Sequence, residues 1–375
     1  RLPALGQVVT ETPAAVGGVS GPTEAYAYVA DWRDLNAPRL LASLLRRDVR
    51  VRTAFEPFSA TTSAGQTAFG RGALVIASAG QTLDAAALRA AVDEAAREAG
   101  VTAFALRTGQ SASGVDLGSD SVRPIRAPKI ALIVGEGVNA TEIGSTWFAL
   151  SERLNWPATR LDPAQIGRVS LDQYTSIVLS GGRYDDWSDR SVEALRRWIQ
   201  AGGSLVTYGS ASRWALAKGL TGAAPRSAAS ETASDSAQKT DTRRDFAERS
   251  DALADQRSAG NAVSADADIT HPLAFGLPQR ALFVSKETDV VLPASPDAFS
   301  NVVRIDDTPR INGYLPAGLR RNLSGTVWAQ TARNGAGNVV LFADDPAHRK
   351  YWLGTERLLI NALFLSNHLA PAARP

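Results

Sequence analysis

Short apolar runs alternate with amphipathic segments through the first third of the chain. At Asn36–Arg46 leucines recur at helical spacing behind Pro38, and the Ala-rich segment Leu83–Ala99 has Asp84 in its first turn and Gly100 directly after its end, which is typical of a capped helix. Around these helices, apolar residues form runs of strand length. The pattern predicts a small α/β layer over 25–128, with strands at 25–30, 49–54, 72–77 and 101–106.

A second α/β pattern begins at Lys129. Ile130–Val134 is a continuous apolar run of the kind that is buried on both faces of a parallel sheet. Further on, Ser188 is placed to cap a helix that stops at Gly202-Gly203. The remaining predicted elements are strands at 158–161, 176–180, 205–208 and 338–343, and helices at 144–154 and 349–367, the last with Trp352, Leu353, Leu358, Leu359 and Leu363 on its inner face. The pattern predicts a doubly wound parallel sheet in a domain at 129–375.

Two segments lack this periodicity. Residues 1–24 are rich in Thr, Gly, Pro and Ala and are interpreted as a linker or as a strand separated from its upstream context. Residues 222–268 have almost no large apolar side chain, so we predict a disordered polar insertion within the second domain. The chain begins at Arg1 and contains no Met, so we expect it to be part of a longer polypeptide.

Composition excludes several classes of function. The chain has no Cys, which rules out disulfides, thiolate metal ligands and a thiol nucleophile. Its formal net charge is only +2 and its basic residues are scattered, so no nucleic-acid binding is predicted. The longest apolar runs, such as Ile130–Val134, have the length of a strand, so no membrane span is predicted.

Several segments, read in order, resemble the region that follows the catalytic domain in large bacterial carboxypeptidase A-like zinc peptidases. They are YVADWRDLNAPRLLASLLRRDVRVRTAFEPF and FGRG within Tyr28–Gly72, GVDLGSDSVRP at Gly114–Pro124, KIALIVGEGVNATEIGSTW, RWIQAGGSLVTYG, THPLAFG and FADDPAHRKYWLGTERLLINALF. The resemblance implies a secreted or periplasmic protein with a peptidase domain upstream of Arg1. That upstream domain would be the partner of this chain and the only place where zinc is expected.

The zinc site of that family cannot be carried over to this chain. The family binds zinc through a His-x-x-Glu pair and a distant second His. This chain has three histidines, His271, His348 and His368, and none begins a His-x-x-Glu sequence. We therefore predict no metal site and no cofactor in this chain.

The second domain also resembles class I glutamine amidotransferases, whose fold is a flavodoxin-like parallel sheet. In active members a Gly-Gly turn leads into a strand that ends at a nucleophilic Cys; here the corresponding strand is Leu205–Tyr208 and the nucleophile position is Gly209. Ser210 follows, and its possible base is His348, supported by Asp344 or Asp345. The ligand crevice implied by this fold lies at the strand ends, and the residues expected to line it are Gly135, Glu136, Gly182, Arg183, Gly209 and Ser210.

The loop after the first strand of this domain has a second interpretation. Gly135–Ala140 reads G-x-G-x-x-A, a loose dinucleotide fingerprint, and Asp162 follows the next strand as a ribose-binding acid would. Glu136 would place a negative charge where a pyrophosphate binds, which opposes nucleotide binding. The amidotransferase resemblance already accounts for the loop as part of the crevice.

Three hypotheses of function follow. In the leading one, the chain is the non-catalytic C-terminal region of a secreted zinc carboxypeptidase-like protein and serves its upstream peptidase domain as an accessory or interaction module. In the second, Ser210 and His348 make the crevice a hydrolase site. In the third, the crevice senses a small molecule or carbohydrate without chemistry.

Overall fold

The computed structural model describes residues 10–11, 16–222, 245–254, 258 and 260–369, and the chain divides into two compact units, Arg1–Arg123 and Pro124–Pro375. The boundary predicted at 128/129 lies in the segment just before the first parallel strand of the second unit. No helix among the described residues is both long and apolar enough to cross a membrane.

The first unit is built on a six-stranded sheet. Its helices are α1 (Ala37–Arg46) and α2 (Ala85–Ala99), and its strands are β1 (Gly18–Ser20), β2 (Ala27–Ala30), β3 (Arg52–Ala54), β4 (Phe58–Thr62), β5 (Gly65–Phe69), β6 (Leu74–Ala77), β7 (Thr102–Leu106), β8 (Ser113–Gly114) and β9 (Val122–Pro124). The sheet has the order β1-β7-β2-β6-β3-β9, and β5-β4-β8 form a small separate sheet. Asp84 caps α2 by accepting from the Ala87 N–H at 2.8 Å, and Gly100 ends it in the left-handed conformation.

The second unit contains the parallel sheet that the apolar runs predict. The parallel strands are β10 (Ile130–Ile133), β11 (Ala158–Leu161), β12 (Ser176–Leu179), β13 (Ser204–Tyr208) and β19 (Gly337–Phe342). They lie in the order β11-β10-β12-β13-β19, and every neighbouring pair is parallel. Numbered along the chain, this is the 2-1-3-4-5 order of flavodoxin-like folds. The predicted fold class, a flavodoxin-like parallel sheet preceded by a smaller α/β unit, is confirmed.

An antiparallel extension, which the sequence pattern does not predict, continues this sheet beyond β19. It consists of β14 (Asn261–Ala267), β15 (Ala281–Lys286), β16 (Asn301–Ile305), β17 (Ile311–Asn312) and β18 (Val327–Asn334). The path runs β19-β18-β16-β14-β15, and β17 also pairs with β14. These strands bring Lys286 and the residues that follow it beside the end of β19, where Lys286 meets Asp344.

The two segments interpreted as lacking structure need correction where they are described. Residues 261–267, inside the predicted disordered insertion, form β14, which is paired on both sides. Its apolar residues are Ala and Val, and small side chains suffice to fill a sheet position between two partners. Within the predicted linker, Gly18–Ser20 pairs in parallel with β7. Residues 223–244 of the predicted insertion lie outside the described residues.

The helices of the second unit differ in extent from the predicted ones. They are α3 (Ala140–Phe148), α4 (Asp189–Gln200), α5 (Ser210–Ala217), α6 (Arg249–Ala254), α7 (Ala317–Leu323) and α8 (Leu353–Phe364). α3 begins earlier than predicted because Asn139 caps it, and it continues as a π-helix to Arg153. α8 begins later because Arg349 and Lys350 have φ values of 46° and 62°, which break a right-handed helix. Leu353, predicted to face inward, is 40% exposed.

Candidate functional site

The crevice of the second unit lies where the parallel strand order reverses. β10 connects to β11 on one side and the chain then returns to β12 on the other, so β10 and β12 flank the switch point at which ligands bind in such sheets. A cavity of about 490 Å³ opens there at the carboxyl ends of β10, β12 and β13. It is lined by Gly137, Val138, Asn139, Glu142, Gly181, Gly182, Arg183, Ser210, Thr288, Asp289 and Val290.

The turn from β13 into α5 has the shape of a nucleophile elbow but carries glycine. Gly209 has φ 61° and ψ −137°, a conformation that side chains other than glycine adopt only with strain. Catalytic nucleophiles on α/β sheets occupy this kind of sharp strand-to-helix turn. Glycine holds the turn without strain and supplies no reactive atom.

Ser210, the residue after the elbow, is bound on both sides by one neighbour. Its Oγ donates to the Gly182 carbonyl oxygen at 2.8 Å and accepts from the Gly182 N–H at 2.8 Å. The hydroxyl proton is therefore held by a backbone carbonyl and not by a base. This pair of hydrogen bonds ties the start of α5 to the loop after β12.

His348 is not arranged as a base for Ser210. Its Nε2 lies 2.8 Å from Glu287 Oε1, and burial lowers its pKa. No hydrogen bond between His348 and Ser210 is present in the described part of the chain. The predicted dyad is therefore not assembled in this conformation.

The two carboxylates predicted to support His348 have other roles. Asp344 forms a fully buried ion pair with Lys286, whose Nζ lies 2.9 Å from Asp344 Oδ2, and its Oδ1 accepts the backbone N–H groups of Glu287 and Thr288 at 2.8 and 2.7 Å. Asp345 accepts the N–H of Ala347 at 2.9 Å. Both carboxylates thus fix the chain around the end of β19.

Glu142 is the titratable group that faces the cavity most directly, and the sequence analysis missed it. It stands three residues after the N-cap Asn139, the spacing of a capping box. Its Oε2 accepts from the Gly181 N–H at 2.7 Å and its Oε1 accepts from Asn139 Nδ2 at 2.8 Å. The carboxylate thereby joins α3 to the loop after β12.

Glu142 and Asp345 have strongly raised pKa values. Burial, with smaller effects from Asp344 and Glu287, raises the pKa of Glu142 to about 7 against the hydrogen bond from Gly181. Burial, followed by repulsion from Glu142 and Glu287, raises the pKa of Asp345 to about 8. Asp345 is 5% exposed, and its Oδ2 has no hydrogen-bond partner among the described residues. Two acids that disfavour each other's charge therefore lie near the cavity floor.

The glycine-rich loop after β10 is not arranged to bind a phosphate through its N–H groups. Asn139 Oδ1 accepts the N–H groups of Thr141 and Glu142 at 3.1 and 3.3 Å, so two of the first donors of α3 are already used. The acid at position 142 adds a negative charge beside them. The loop therefore does not form the dinucleotide site that the G-x-G-x-x-A pattern suggests.

The six predicted crevice residues fall into three groups. Gly182, Arg183 and Ser210 line the first cavity. Glu136 lines a second cavity of about 640 Å³ together with Asp162, and Arg183 borders both cavities. A Cβ on Gly135 would meet Asp162, and Gly209 lies behind the first cavity against Gly181.

A metal ion has no evident site in the part of the chain that the structure describes. Residues 16–222 and 260–369 contain no group of three or more His, Cys, Asp or Glu side chains able to hold one. The charges around the crevice are instead distributed among ion pairs and isolated carboxylates.

Three solved structures of differently described proteins are partly similar to this chain. A cytoplasmic protein from Salmonella typhimurium is 14% identical, with 64% of this chain and 98% of that chain covered and a TM-score of 0.35. A putative ThuA-like protein from Bacteroides uniformis is 10% identical (64% and 91% covered, TM-score 0.35), and a β-galactosidase from Bacillus circulans sp. alkalophilus is 10% identical (64% and 30% covered, TM-score 0.29). No family model and no curated protein matches the chain. At these TM-scores the fold assignment rests on the strand order alone.

Proposed function

We propose that this chain is a non-catalytic binding module that uses the crevice between β10, β12 and β13. The observation that supports this most strongly is the elbow, where glycine occupies the nucleophile position and the neighbouring Ser210 hydroxyl is bound by Gly182 on both sides. A hydrolase needs a nucleophile, a base in contact with it and free donors for an oxyanion. At the described elbow Gly209 offers no nucleophile, and the Ser210 hydroxyl makes no hydrogen bond to a base.

A labelling experiment tests the absence of chemistry. The chain is treated with a fluorophosphonate probe and assayed with activated esters and with glutamine, beside the variants Ser210→Ala and Ser170→Ala. Ser170 is exposed and remote from the crevice, so it serves as the matched control. We expect no labelling and no turnover. Labelling that disappears in Ser210→Ala but persists in Ser170→Ala would establish the hydrolase instead.

We further propose that the module serves an upstream peptidase domain in a secreted or periplasmic carboxypeptidase-like protein. This rests on the ordered segment resemblances, including those at Tyr28–Gly72 and Gly114–Pro124. The reading frame upstream of Arg1 is the test. A domain there with His-x-x-Glu and a distant second His supports the proposal, whereas an initiation codon next to Arg1 contradicts it.

A further inference from the structure

Several backbone donors in the wall of the first cavity are already used within the protein. The N–H groups of Gly181–Arg183 donate to Glu142, Ser210 and Gly137 at distances of 2.7, 2.8 and 2.8 Å. The Thr288 N–H donates to Asp344 and the Val290 N–H donates to Thr288 Oγ1. These five N–H groups are therefore not available to an anionic ligand. A ligand rich in donors finds the Glu142 carboxylate as an acceptor.

The charges around the cavity favour a cation as well. Three of the five nearby carboxylates have a basic partner, in the pairs Lys286–Asp344 at 2.9 Å, His348–Glu287 at 2.8 Å and Arg213–Asp289 at 3.2 Å. Glu142 and Asp345 have no basic partner among the described residues. Only Glu142 of these two lines the cavity. The exposed Arg183 on the rim is screened by solvent and opposes a bound cation only weakly.

We propose that this cavity binds a ligand bearing a primary ammonium group, with the ammonium placed against the Glu142 carboxylate. The proposal rests on the non-catalytic binding function and specifies its ligand. Burial strengthens a charge-assisted hydrogen bond between an ammonium and a carboxylate. The volume of about 490 Å³ lies in the range of small-molecule sites. The ammonium is the positively charged partner that Glu142 lacks among the described residues.

Ammonium binding is coupled to proton release. Burial and, to a smaller extent, the charges of Asp344 and Glu287 raise the pKa of Glu142 to about 7, so the unliganded protein holds a proton on Glu142 in much of the population near neutral pH. Asp345, Tyr184 and Tyr208 also lie near Glu142, and the pKa of each is raised in part by the Glu142 charge. An alkylammonium stays charged until about pH 10. Its binding expels the proton, and its affinity therefore rises as pH increases from about 6 to 8.

Calorimetry with three probes of one size tests the proposal. Propylammonium, 1-propanol and propionate are titrated into the whole chain at pH 7, in two buffers of different ionisation enthalpy. We expect heat of binding from propylammonium alone, with release of part of a proton to the buffer. Glu142→Gln should weaken the binding at least tenfold, and Glu152→Gln, at an exposed position that lines neither cavity, should leave it unchanged.

Several outcomes would overturn the proposal. They are equal binding of propylammonium to Glu142→Gln, tighter binding of propionate than of propylammonium, binding without proton release, and no binding of propylammonium at any soluble concentration. If Glu142→Gln fails to fold, the carboxyl ¹³C shift of Glu142 in the unsubstituted chain must move on adding propylammonium. Failure of these binding tests would not contradict the non-catalytic function. That function is contradicted only if Ser210 is labelled or substrate turns over.

Discussion

Replacing Glu142 with Gln is expected to stabilise the second unit above pH 7 and to destabilise it at pH 4. The folded chain raises the pKa of Glu142 above its ordinary value of 4.5 to about 7, mainly because the carboxyl is buried. Between these two pH values the folded state binds a proton that the unfolded chain has lost. The stability of the unsubstituted protein therefore falls as pH rises through this window, and the loss is complete above it.

The magnitude follows from the pKa difference and the hydrogen bonds. A rise from 4.5 to about 7, at about 1.4 kcal/mol for each pKa unit, makes the charged Glu142 unfavourable by ~3 kcal/mol. Gln has one acceptor oxygen and cannot accept from both Gly181 N–H and Asn139 Nδ2, which the carboxylate does at 2.7 and 2.8 Å. That loss costs about 1 kcal/mol. We expect Glu142→Gln to be about 2 kcal/mol more stable than the unsubstituted chain at pH 8.5 and about 1 kcal/mol less stable at pH 4, where Glu142 is protonated in most of the unfolded chains as well.

Urea denaturation from pH 4 to 9 measures both the stabilisation and the destabilisation. Seven of the eight tryptophans lie in 124–375, so fluorescence reports on the second unit. The control is Glu136→Gln, which removes an exposed carboxylate from the neighbouring loop and should keep the pH dependence of the unsubstituted chain. If the free energy of unfolding has the same pH dependence in Glu142→Gln and in the unsubstituted chain, the inference that Glu142 is buried without a basic partner is refuted.

Three further substitutions test other parts of the crevice by urea denaturation. Lys286→Met leaves Asp344 buried without its ion-pair partner and should cost about 3–5 kcal/mol; a loss below about 1 kcal/mol would contradict the buried ion pair. Gly209→Ala meets no atom closer than 3.6 Å, so its expected cost of about 1–2 kcal/mol comes from the backbone at φ 61°. Gly144→Ala, in α3 with open space around it, should instead stabilise by about 0.5–1 kcal/mol, and a loss there would contradict the packing of α3.

The centre of the parallel half of the sheet was predictable because its strands are short apolar runs. Ile130–Ile133 and Ser176–Leu179 are buried at every position, so hydrophobicity alone marks them. The antiparallel half was not, and β14 shows why. The segment NAVSADA forms a strand because it hydrogen-bonds to β15 and β16. These bonds join segments that are separated along the chain, so no local pattern predicts them.

The candidate site was predictable to the extent that it follows from strand ends. Loops after β10, β12 and β13 converge at the switch point, so Gly182, Arg183 and Ser210 could be placed in a crevice from topology. The role of Glu142 could not be predicted, because its raised pKa arises from burial and from groups that the fold brings near it, such as Glu287 and Asp344. Its local signal, a capping-box spacing after Asn139, describes only a helix start.

The crevice has the backbone of a sharp strand-to-helix elbow, while its polar groups bind one another. Gly209 forms the turn without strain, and Ser210 Oγ accepts the N–H of Gly182. The same crevice holds Glu142 in a setting that penalises its charge at alkaline pH. A group held with an uncompensated charge beside a cavity is characteristic of sites where a ligand supplies the missing interaction. Glycine at the elbow together with the unpaired Glu142 carboxylate therefore supports the proposed recognition of a cation.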